Sequence, residues 1–215
     1  MGTKERRERE REELRAKILD AARELFAELG YEAVTMRKIA ERIEYSPTAI
    51  YLHFKDKRAV IQELCDHDFL VLAKKLQRIA RIEEPLERLR AAGVAYVDFA
   101  LEHPNHYRLM FMQSHPEVVE EGDECAIRKG NPEEDAYAFL HGTVIEAIGA
   151  KCFRFEVTDA DLVAQSLWAA VHGVASLHIA LGGDDWVTWR PAKKTAKFLI
   201  DAMLDGLVNL RGTKE

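Results

Sequence analysis

The stretch TMRKIAERIEYSPTAIYLHFKDK, residues 35–57, decides the fold of the first part of this 215-residue chain. Thr35 stands before a short amphipathic segment and offers a side-chain oxygen to first-turn N–H groups, which predicts a helix over residues 36–43. Shortly afterwards Ser46 repeats this capping chemistry, and Pro47 supplies the φ angle of a first helical position, which predicts a second short helix. Two short helices joined by a tight turn form a helix-turn-helix, a unit that can place its second helix in the major groove of DNA.

The rest of the chain also has the apolar spacing of helices, and no segment shows the strict alternation of half-buried strands. We therefore predict an all-α fold of about eight to ten helices, with an N-terminal three-helix helix-turn-helix domain joined to a C-terminal helical domain. The further predicted helices cover residues 14–29, 56–79, 85–101, 106–112, 132–149, 159–181 and 191–210, with a loop over residues 113–131. In the last helix the residues predicted to point inward are Thr195, Phe198, Leu199, Ala202, Met203, Leu207 and Leu210.

The composition is that of an ordinary globular protein, with 47% hydrophobic and 32% charged residues. It excludes a chain that is disordered by default, a collagen-like repeat and a disulfide scaffold. The three cysteines, Cys65, Cys125 and Cys152, lack the CxxC spacing of metal sites, so we expect reduced thiols. The N-terminal residues are densely charged and contain no apolar core of a signal peptide, which predicts a cytoplasmic location.

One segment, residues 162–183, contains no formally charged side chain and is long enough to cross a bilayer. However, it contains two histidines and its flanks are acidic, whereas basic flanks would mark a cytoplasmic side. We therefore expect no membrane insertion, because a helix that is apolar on most faces can be buried both in its own core and against a partner. The segment predicts a homodimer through the helices at residues 159–181 and 191–210, two copies of each forming a four-helix interface.

The helix-turn-helix stretch resembles the TetR family of bacterial transcriptional repressors over about residues 17–64. The resemblance rests on two patterns, Thr35-x-x-x-Ile39-Ala40-x-x-Ile43 and Ser46-Pro47-x-x-Ile50-Tyr51-x-His53-Phe54-x-x-Lys57. It implies a DNA-binding domain at residues 1–57 and an effector-binding and dimerisation domain at residues 58–215.

The resemblance also implies a set of DNA-binding residues. Those that would hold backbone phosphates are Thr35, Tyr51, His53 and Lys57. Those that would approach base edges or thymine methyls are Arg37, Tyr45, Pro47, Thr48 and Ala49. From chemistry alone, the groups able to donate to a phosphate oxygen are the side chains of Tyr51, His53, Lys55 and Lys57. Arg37 is the one long bidentate donor at the start of the second helix, and such a donor suits guanine.

Glu44 departs from the family pattern, in which this turn position commonly holds glycine. If the backbone there has a positive φ, the side chain costs ~1 kcal/mol. Its carboxylate would also repel a phosphate.

The net charge of −6 argues against a nucleic-acid binder only as an average over the chain. Residues 1–60 carry 14 Lys and Arg against 12 Asp and Glu, whereas residues 61–215 carry 17 against 25. Positive charge is thus concentrated where DNA would bind, as counterion release requires. The charged run at residues 4–15 is predicted to be a solvated extension of the first helix.

The C-terminal part resembles one subtype of the family through Trp168-Ala-Ala-Val-His172-Gly173 and His106-Tyr107-Arg108-Leu109-Met110-Phe111. Effector sites are mostly apolar with a few placed polar groups, and methionine and aromatic side chains adapt to varied ligand shapes. On these grounds the candidate effector-binding residues are Tyr96, Phe99, Tyr107, Met110, Phe111, Phe139, Trp168 and His172. Each of them could equally be an ordinary core residue.

These observations predict a transcriptional regulator, in the first place a repressor that binds a pseudo-palindromic operator as a dimer and is released by a small, largely apolar effector. The motifs HExxH, GxSxG, GxGxxG and the phosphate-binding loop are absent, so we expect neither an enzyme nor a cofactor. One alternative is a metal-sensing regulator that uses histidines among His103, His106, His115, His141, His172 and His178. Another is an architectural DNA-binding protein without an effector.

Overall fold

The structure is a computed structural model and describes residues 3–112 and 129–208. Within these residues it is all-α, as predicted, and an isolated antiparallel bridge joins Phe153 to Val208. The helices are α1 (Thr3–Ala33), α2 (Met36–Arg42), α3 (Pro47–Tyr51), α4 (Lys57–Gln77), α5 (Pro85–Glu102), α6 (Pro104–Tyr107), a π-helical segment (Arg108–Met112), α7 (Ala136–Gly149), α8 (Ala160–Leu181) and α9 (Ala192–Leu207). Most of the predicted loop at residues 113–131 lies outside the described residues, as do Cys125 and His115.

The predicted helix caps of the helix-turn-helix are confirmed. Thr35 Oγ1 accepts a hydrogen bond from the backbone N–H of Lys38 at 3.2 Å, and Ser46 Oγ accepts one from Ala49 at 3.3 Å. Pro47 occupies the first position of α3. Helix α3 ends at Tyr51. These local hydrogen bonds explain why the short helices begin where the sequence indicated.

A continuous apolar core supports the helix-turn-helix. Val34 and Ile39, at the ends of the first turn of α2, are both fully buried, and so is Ile50 of α3. The same core contains Phe26 of α1 and Leu109 of the π-helical segment. Burial of these side chains fixes which faces of α2 and α3 remain in solvent.

A buried carboxylate joins three helices of this part of the chain. Asp68 of α4 is fully buried, forms an ion pair with Arg23 of α1 and has an oxygen 2.8 Å from His106 Nδ1 of α6. Burial alone would raise the pKa of Asp68, but the hydrogen bonds from His106 and Arg23 outweigh it and hold the pKa below its ordinary value. The carboxylate is therefore charged at neutral pH and fully paired.

Helices α5, α7, α8 and α9 pack against one another around a second core. Gly93 of α5 permits the approach of α9, because a Cβ at this position would collide with the side chain of Ile200. The buried face of α8 contains Val163, Leu167 and Val171. This arrangement leaves other apolar side chains of α8 and α9 exposed in the single chain.

The predicted inward face of the last helix is wrong in its most buried residues. The buried residues of α9 are Ala192, Ala196, Ile200 and Leu204, whereas Phe198 is 75% exposed. Of the other predicted residues, Ala202 is exposed, Leu210 lies outside the described residues, and the half-buried ones are Thr195, Leu199, Met203 and Leu207. The helix also ends at Leu207, before the predicted end, and Val208 is extended and pairs with Phe153. Helix α9 is apolar on two faces, and the sequence alone did not indicate which one packs within its own chain.

The backbone contacts divide the described residues into two compact units. The first contains the residues up to Asp68 together with Asn105–Met112, and the second contains Phe69–Pro104 and the described residues from Lys129 onward. This division differs from the functional boundary proposed between residues 57 and 58, which stays a prediction.

Helix α8 has the length and apolar character of a membrane-spanning helix. Among the described residues, Ala160–Leu181 is the one helix whose length and hydropathy suit a bilayer crossing, a criterion that the core helix of a globular protein also meets. About a third of its most apolar stretch is buried in the single chain. The two-sided apolar character predicted for this segment is therefore present in the structure.

Candidate DNA interface and effector site

The helix-turn-helix presents most of the predicted DNA-binding side chains on its surface. The exposed members are Thr35, Arg37, Tyr45, Pro47, Thr48, Tyr51 and Lys55, and the half-buried members are Ala49, His53 and Lys57. Buried Ile50 and Phe54 anchor the opposite side of α3 and of the turn after it. The structure thus brings the predicted residues onto one short segment, while their contacts with DNA remain a prediction.

Arg37 forms an ion pair within its own helix. Its Nε lies 2.8 Å from Glu41 Oε1, and the Arg37 side chain is 81% exposed. Exposed pairs of this kind, four residues apart on a helix, contribute only about 0.3–0.5 kcal/mol. The guanidinium is therefore available to exchange the carboxylate for a base edge.

The turn between α2 and α3 contains a left-handed residue. Glu44 has a φ of 59°, and the following residue, Tyr45, donates its N–H to the carbonyl of Ala40 at 2.9 Å. A positive φ favours glycine because a Cβ crowds the following carbonyl oxygen. The cost expected at Glu44 therefore applies, and its exposed carboxylate lies beside the predicted DNA-binding residues.

Lys57 has a structural role that the sequence did not reveal. Its Nζ donates to the carbonyl of Tyr31 at 2.7 Å and lies 3.9 Å from the centroid of the Tyr31 ring. The ammonium group therefore holds the end of α1 against the start of α4. A lysine that would bind DNA by family likeness also stabilises the domain that carries it.

His53 lies beside two arginines of α1. Arg15 donates to the His53 carbonyl at 2.9 Å, and its guanidinium lies 4.3 Å from the centroid of the Phe54 ring. Burial, and then the charges of Arg11 and Arg15, lower the pKa of His53. The ring is therefore neutral at pH 7, and a neutral imidazole can donate one hydrogen bond.

The eight candidate effector residues fall in two groups. Those in the first unit are Tyr107, Met110 and Phe111, and those in the second unit are Tyr96, Phe99, Phe139, Trp168 and His172. Within the second group the structure connects three polar atoms. Trp168 Nε1 donates to Tyr96 Oη at 3.1 Å, and Tyr96 Oη lies 3.2 Å from His172 Nδ1.

Two aromatic residues of α7 that the sequence reasoning missed extend this group. The Tyr137 ring lies 6.0 Å from the Trp168 ring and 6.0 Å from the His141 ring. We call the five residues the aromatic cluster; they are Tyr96, Tyr137, His141, Trp168 and His172. The spacing of Tyr137 and His141, four residues apart on one helix face, was the signal that could have found them.

The polar edge of the aromatic cluster is defined by Asp161. Tyr137 Oη donates to Asp161 Oδ1 at 3.2 Å, and His141 Nε2 lies 3.5 Å from the same oxygen. Burial lowers the pKa of His172, so that its ring is neutral at pH 7. The cluster therefore combines several ring faces with a phenol, an indole N–H and a neutral imidazole, a chemistry suited to an apolar ligand with a polar end.

The other candidates in the second unit pack as core residues. Phe99 is fully buried with its ring 5.3 Å from that of His103, and Phe139 is 6% exposed. In the first unit Tyr107 is also fully buried, with its ring 4.9 Å from that of Phe111.

The second unit also contains an open groove of about 460 Å³, lined mainly by α5 and α9. Its charged lining residues are Glu87, Arg90, Asp98, Lys197 and Asp201, and none of the candidate effector residues lines it. Arg90 pairs with both Asp201 and Asp205 of α9. The groove is lined by charged and apolar residues in equal number, and it is separate from the predicted effector residues.

Metal sensing finds no support in the part of the chain that the structure describes. There, no three or more His, Cys, Asp or Glu side chains are grouped so that they could hold a metal ion.

Comparison with protein families agrees with this geometry at both ends of the chain. Residues 18–64 match the model of bacterial regulatory proteins of the tetR family. Residues 89–203 match the model of the tetracyclin repressor-like C-terminal domain.

Two similar proteins are known as transcriptional regulators. The chain is 35% identical over 88 residues to the HTH-type transcriptional regulator UidR of Escherichia coli K12, which covers 41% of this chain and 39% of UidR. It is 35% identical over 105 residues to the HTH-type transcriptional activator FasR of Mycolicibacterium smegmatis, with 47% of each chain covered. The chain thus spans less than half the length of either relative.

Solved structures show the same fold over nearly the whole chain. A protein from Rhodococcus sp. RHA1 has a TM-score of 0.71 and 26% identity, covering 91% of this chain and 96% of that one. The complex of SmeT with triclosan has a TM-score of 0.67 and 23% identity, covering 92% of each chain. Because the C-terminal family model alone matches more than half of the residues, this protein belongs to the TetR family of DNA-binding transcriptional regulators, and it is not an enzyme.

Proposed function

We propose that this protein is a cytoplasmic, sequence-specific repressor that binds a pseudo-palindromic operator as a homodimer and is released by a small, largely apolar effector. The observation that carries the proposal is the exposed set of hydrogen-bond donors on the helix-turn-helix, on the side opposite the buried residues Ile50 and Phe54. Arg37 is the base-reading residue in this assignment, and Tyr51 and Lys55 are phosphate donors. Thr35, Tyr45, Pro47, Thr48, Ala49, His53 and Lys57 complete the proposed interface.

Exposed apolar side chains on α8 and α9 support the homodimer. Leu162 is 63% exposed, Leu177 is 49% exposed and Phe198 is 75% exposed in the single chain. Large apolar side chains exposed on two helices of a globular protein favour an interface. A two-fold dimer of these helices would present two recognition helices to half-sites about one DNA turn, ~34 Å, apart.

The aromatic cluster is the proposed effector site. Its rings supply apolar contact area, while Tyr96 and His172 supply the few polar groups that fix the orientation of a ligand. The protein of similar fold that was solved with triclosan, SmeT, is a precedent for a small-molecule ligand. Phe99 and Phe139 are buried in the same unit, and their part in effector binding stays a prediction, as does that of Tyr107, Met110 and Phe111.

Release requires that the effector bind one state of the protein more tightly than the other. A hundredfold loss of operator affinity corresponds to about 2.8 kcal/mol of coupling free energy. Helix α4 is continuous from Lys57 to Gln77, with Val60, Leu64, Leu72 and Leu76 buried along it. We propose that a change in the orientation of this helix carries the coupling.

The DNA-binding assignment is tested by selecting operators from a random duplex library and comparing the wild type with Arg37→Ala. We expect the variant to bind the selected operator ~10-fold or more weakly and to lose preference at a guanine, since a bidentate contact is worth about 1–3 kcal/mol. The matched control is Arg78→Ala, which removes an exposed arginine outside the helix-turn-helix. Equal operator affinity and preference in all three proteins would refute the assignment.

The sign of regulation is tested by transcription in vitro from a promoter that contains the selected operator. A repressor lowers the amount of transcript, whereas an increase would make the protein an activator, as FasR is named.

The effector site is tested by screening phenolic and fatty-acyl compounds, with triclosan included, for release of operator DNA. A compound that releases the wild type should release Tyr96→Phe less well, because the variant lacks the hydroxyl that Trp168 and His172 contact. If compounds that bind the protein tighten operator binding or leave it unchanged, the release model is wrong. If no compound binds, the alternative of an architectural protein without an effector is favoured.

A further inference from the structure

The N-terminal extension of α1 separates its charges into rows. Residues 4–15 contain six basic and five acidic side chains, so their net charge is small. With 3.6 residues per turn, Lys4, Arg7, Arg11 and Arg15 share one side of the helix. We call these four residues the basic row. Glu5, Glu8 and Glu12 form a separate row to one side of it.

The basic row is continuous with the face that packs on the helix-turn-helix. Ile18, which lies three residues after Arg15 on the same side of α1, is fully buried in the core that also holds Ile50 of α3. Arg15 itself donates to the His53 carbonyl and forms an ion pair with Glu63. The basic row therefore begins beside His53, one of the residues proposed to bind phosphates, and continues from there toward the N-terminus of α1.

Arg7 and Arg11 of the basic row differ from other arginines of the extension in their ion pairs. Arg6 pairs with Glu10 at 3.2 Å, and Arg9 pairs with Glu13 at 3.9 Å. No ion pair within 4.0 Å is found for Arg7 or Arg11 among the described residues, and both side chains are exposed. Arg11 lies one turn before Arg15 on the same side of α1, and its charge contributes to the lowered pKa of His53.

We propose that Lys4, Arg7 and Arg11 form a second DNA-binding surface, which contacts backbone phosphates next to those held by the helix-turn-helix. The surface fits DNA because a row of cations along about 10 Å of helix meets a strand with one phosphate charge per 3.4 Å of axis. The acidic row flanks the basic row on one side, so the helix would approach the duplex with the side that carries the cations. The surface adds affinity and carries no base preference.

The test compares two double variants that remove the same charge from the same segment. Arg7→Ala/Arg11→Ala removes two members of the basic row, and Arg6→Ala/Arg9→Ala removes the two paired arginines. Alanine keeps the helix in both, which circular dichroism verifies. The probe is a mixed-sequence duplex of roughly 30 base pairs, because phosphate contacts do not depend on sequence.

Binding is measured between about 50 and 200 mM salt. Loss of two phosphate contacts lowers the slope of log affinity against log salt by about two. The advantage of the wild type over Arg7→Ala/Arg11→Ala then falls about tenfold across that range. Arg6→Ala/Arg9→Ala should keep the wild-type slope.

Equal changes of slope in the two double variants would overturn the proposal, because they would reflect net charge and not a contact. An unchanged slope in Arg7→Ala/Arg11→Ala would also overturn it. The proposal would also be overturned if the wild type bound vesicles of phosphatidylglycerol and phosphatidylcholine and Arg7→Ala/Arg11→Ala did not, while the two proteins bound DNA equally. The proposal depends on the proposed DNA interface, and Lys55→Ala in the same titration separates the two, because it removes one exposed cation of the helix-turn-helix. A lower slope in Lys55→Ala alone leaves the interface standing without the extension.

Discussion

Individual residues show where local chemistry suffices to predict the structure. Thr35 and Ser46 were identified as caps from residue type and position, and their side chains accept the expected hydrogen bonds. A positive φ at Glu44 was considered only because the family commonly has glycine at this turn position, and the structure has it. The contact of Lys57 with Tyr31 could not be predicted, because the two residues are 26 positions apart and only the tertiary fold brings them together.

Glu44→Gly should stabilise the protein and strengthen its binding to DNA. Glycine relieves the left-handed strain, worth up to about 1 kcal/mol, and removes a carboxylate from the proposed interface. Chemical denaturation measures the first effect, and titration with duplex DNA measures the second.

Glu44→Gln is the control, since it removes the charge and keeps the Cβ. We expect it to strengthen DNA binding without a gain in the free energy of unfolding. Equal stability of the glycine and glutamine variants would show that the turn is not strained.

At the scale of helices, the positions of the elements were predictable but the choice of faces was only partly so. The residues of α2 that face the core followed from its spacing, because the helix has a single apolar side. Helix α9 has two apolar sides, and the side that contains the smaller side chains Ala192 and Ala196 packs in the core of its own chain. The aromatic cluster was predicted in part for the same reason: Tyr96, Trp168 and His172 were found, while Tyr137 and His141 depend on how α7 packs.

Asp68→Asn should destabilise the protein strongly, because the fully buried carboxylate pairs with Arg23 and hydrogen-bonds to His106. Removing one partner of a buried ion pair leaves the other without compensation and costs about 3 kcal/mol. For a chain of this size the melting temperature should fall by about 6–12 °C. Calorimetry at neutral pH measures this loss.

The difference between wild type and Asp68→Asn should depend on pH. The pKa of Asp68 is lowered in the folded state, so its contribution is complete above the ordinary carboxyl pKa and is lost as the pH falls through the lowered value. The two melting temperatures should therefore converge in acid. A gap that stays constant from about pH 7 to pH 3 would contradict the role assigned to the carboxylate.

For the whole molecule, the proposed assembly depends on apolar surface that the single chain leaves uncovered. Phe198→Glu places a charge in the middle of the exposed face of α9. If α8 and α9 form a four-helix interface, the variant should dissociate at protein concentrations at which the wild type is a dimer. Sedimentation velocity measures the masses of both.

Phe155→Glu is the matched control, because Phe155 is 88% exposed and lies outside both helices. It should sediment like the wild type. A dimer that survives Phe198→Glu, or a wild type that is monomeric, would refute the proposed interface.

The ion pair between Arg37 and Glu41 has a consequence for how the proposed interface would meet a base. Before any contact with DNA the guanidinium already has an acceptor, so a guanine must first displace Glu41. If Arg37 reads a guanine as proposed, that exchange costs about 0.5 kcal/mol and returns about 1–3 kcal/mol through two hydrogen bonds. At a base that offers no pair of acceptors, Arg37 would stay paired with Glu41 and add nothing to binding. The carboxylate would therefore act as a competitor that only a matching base displaces.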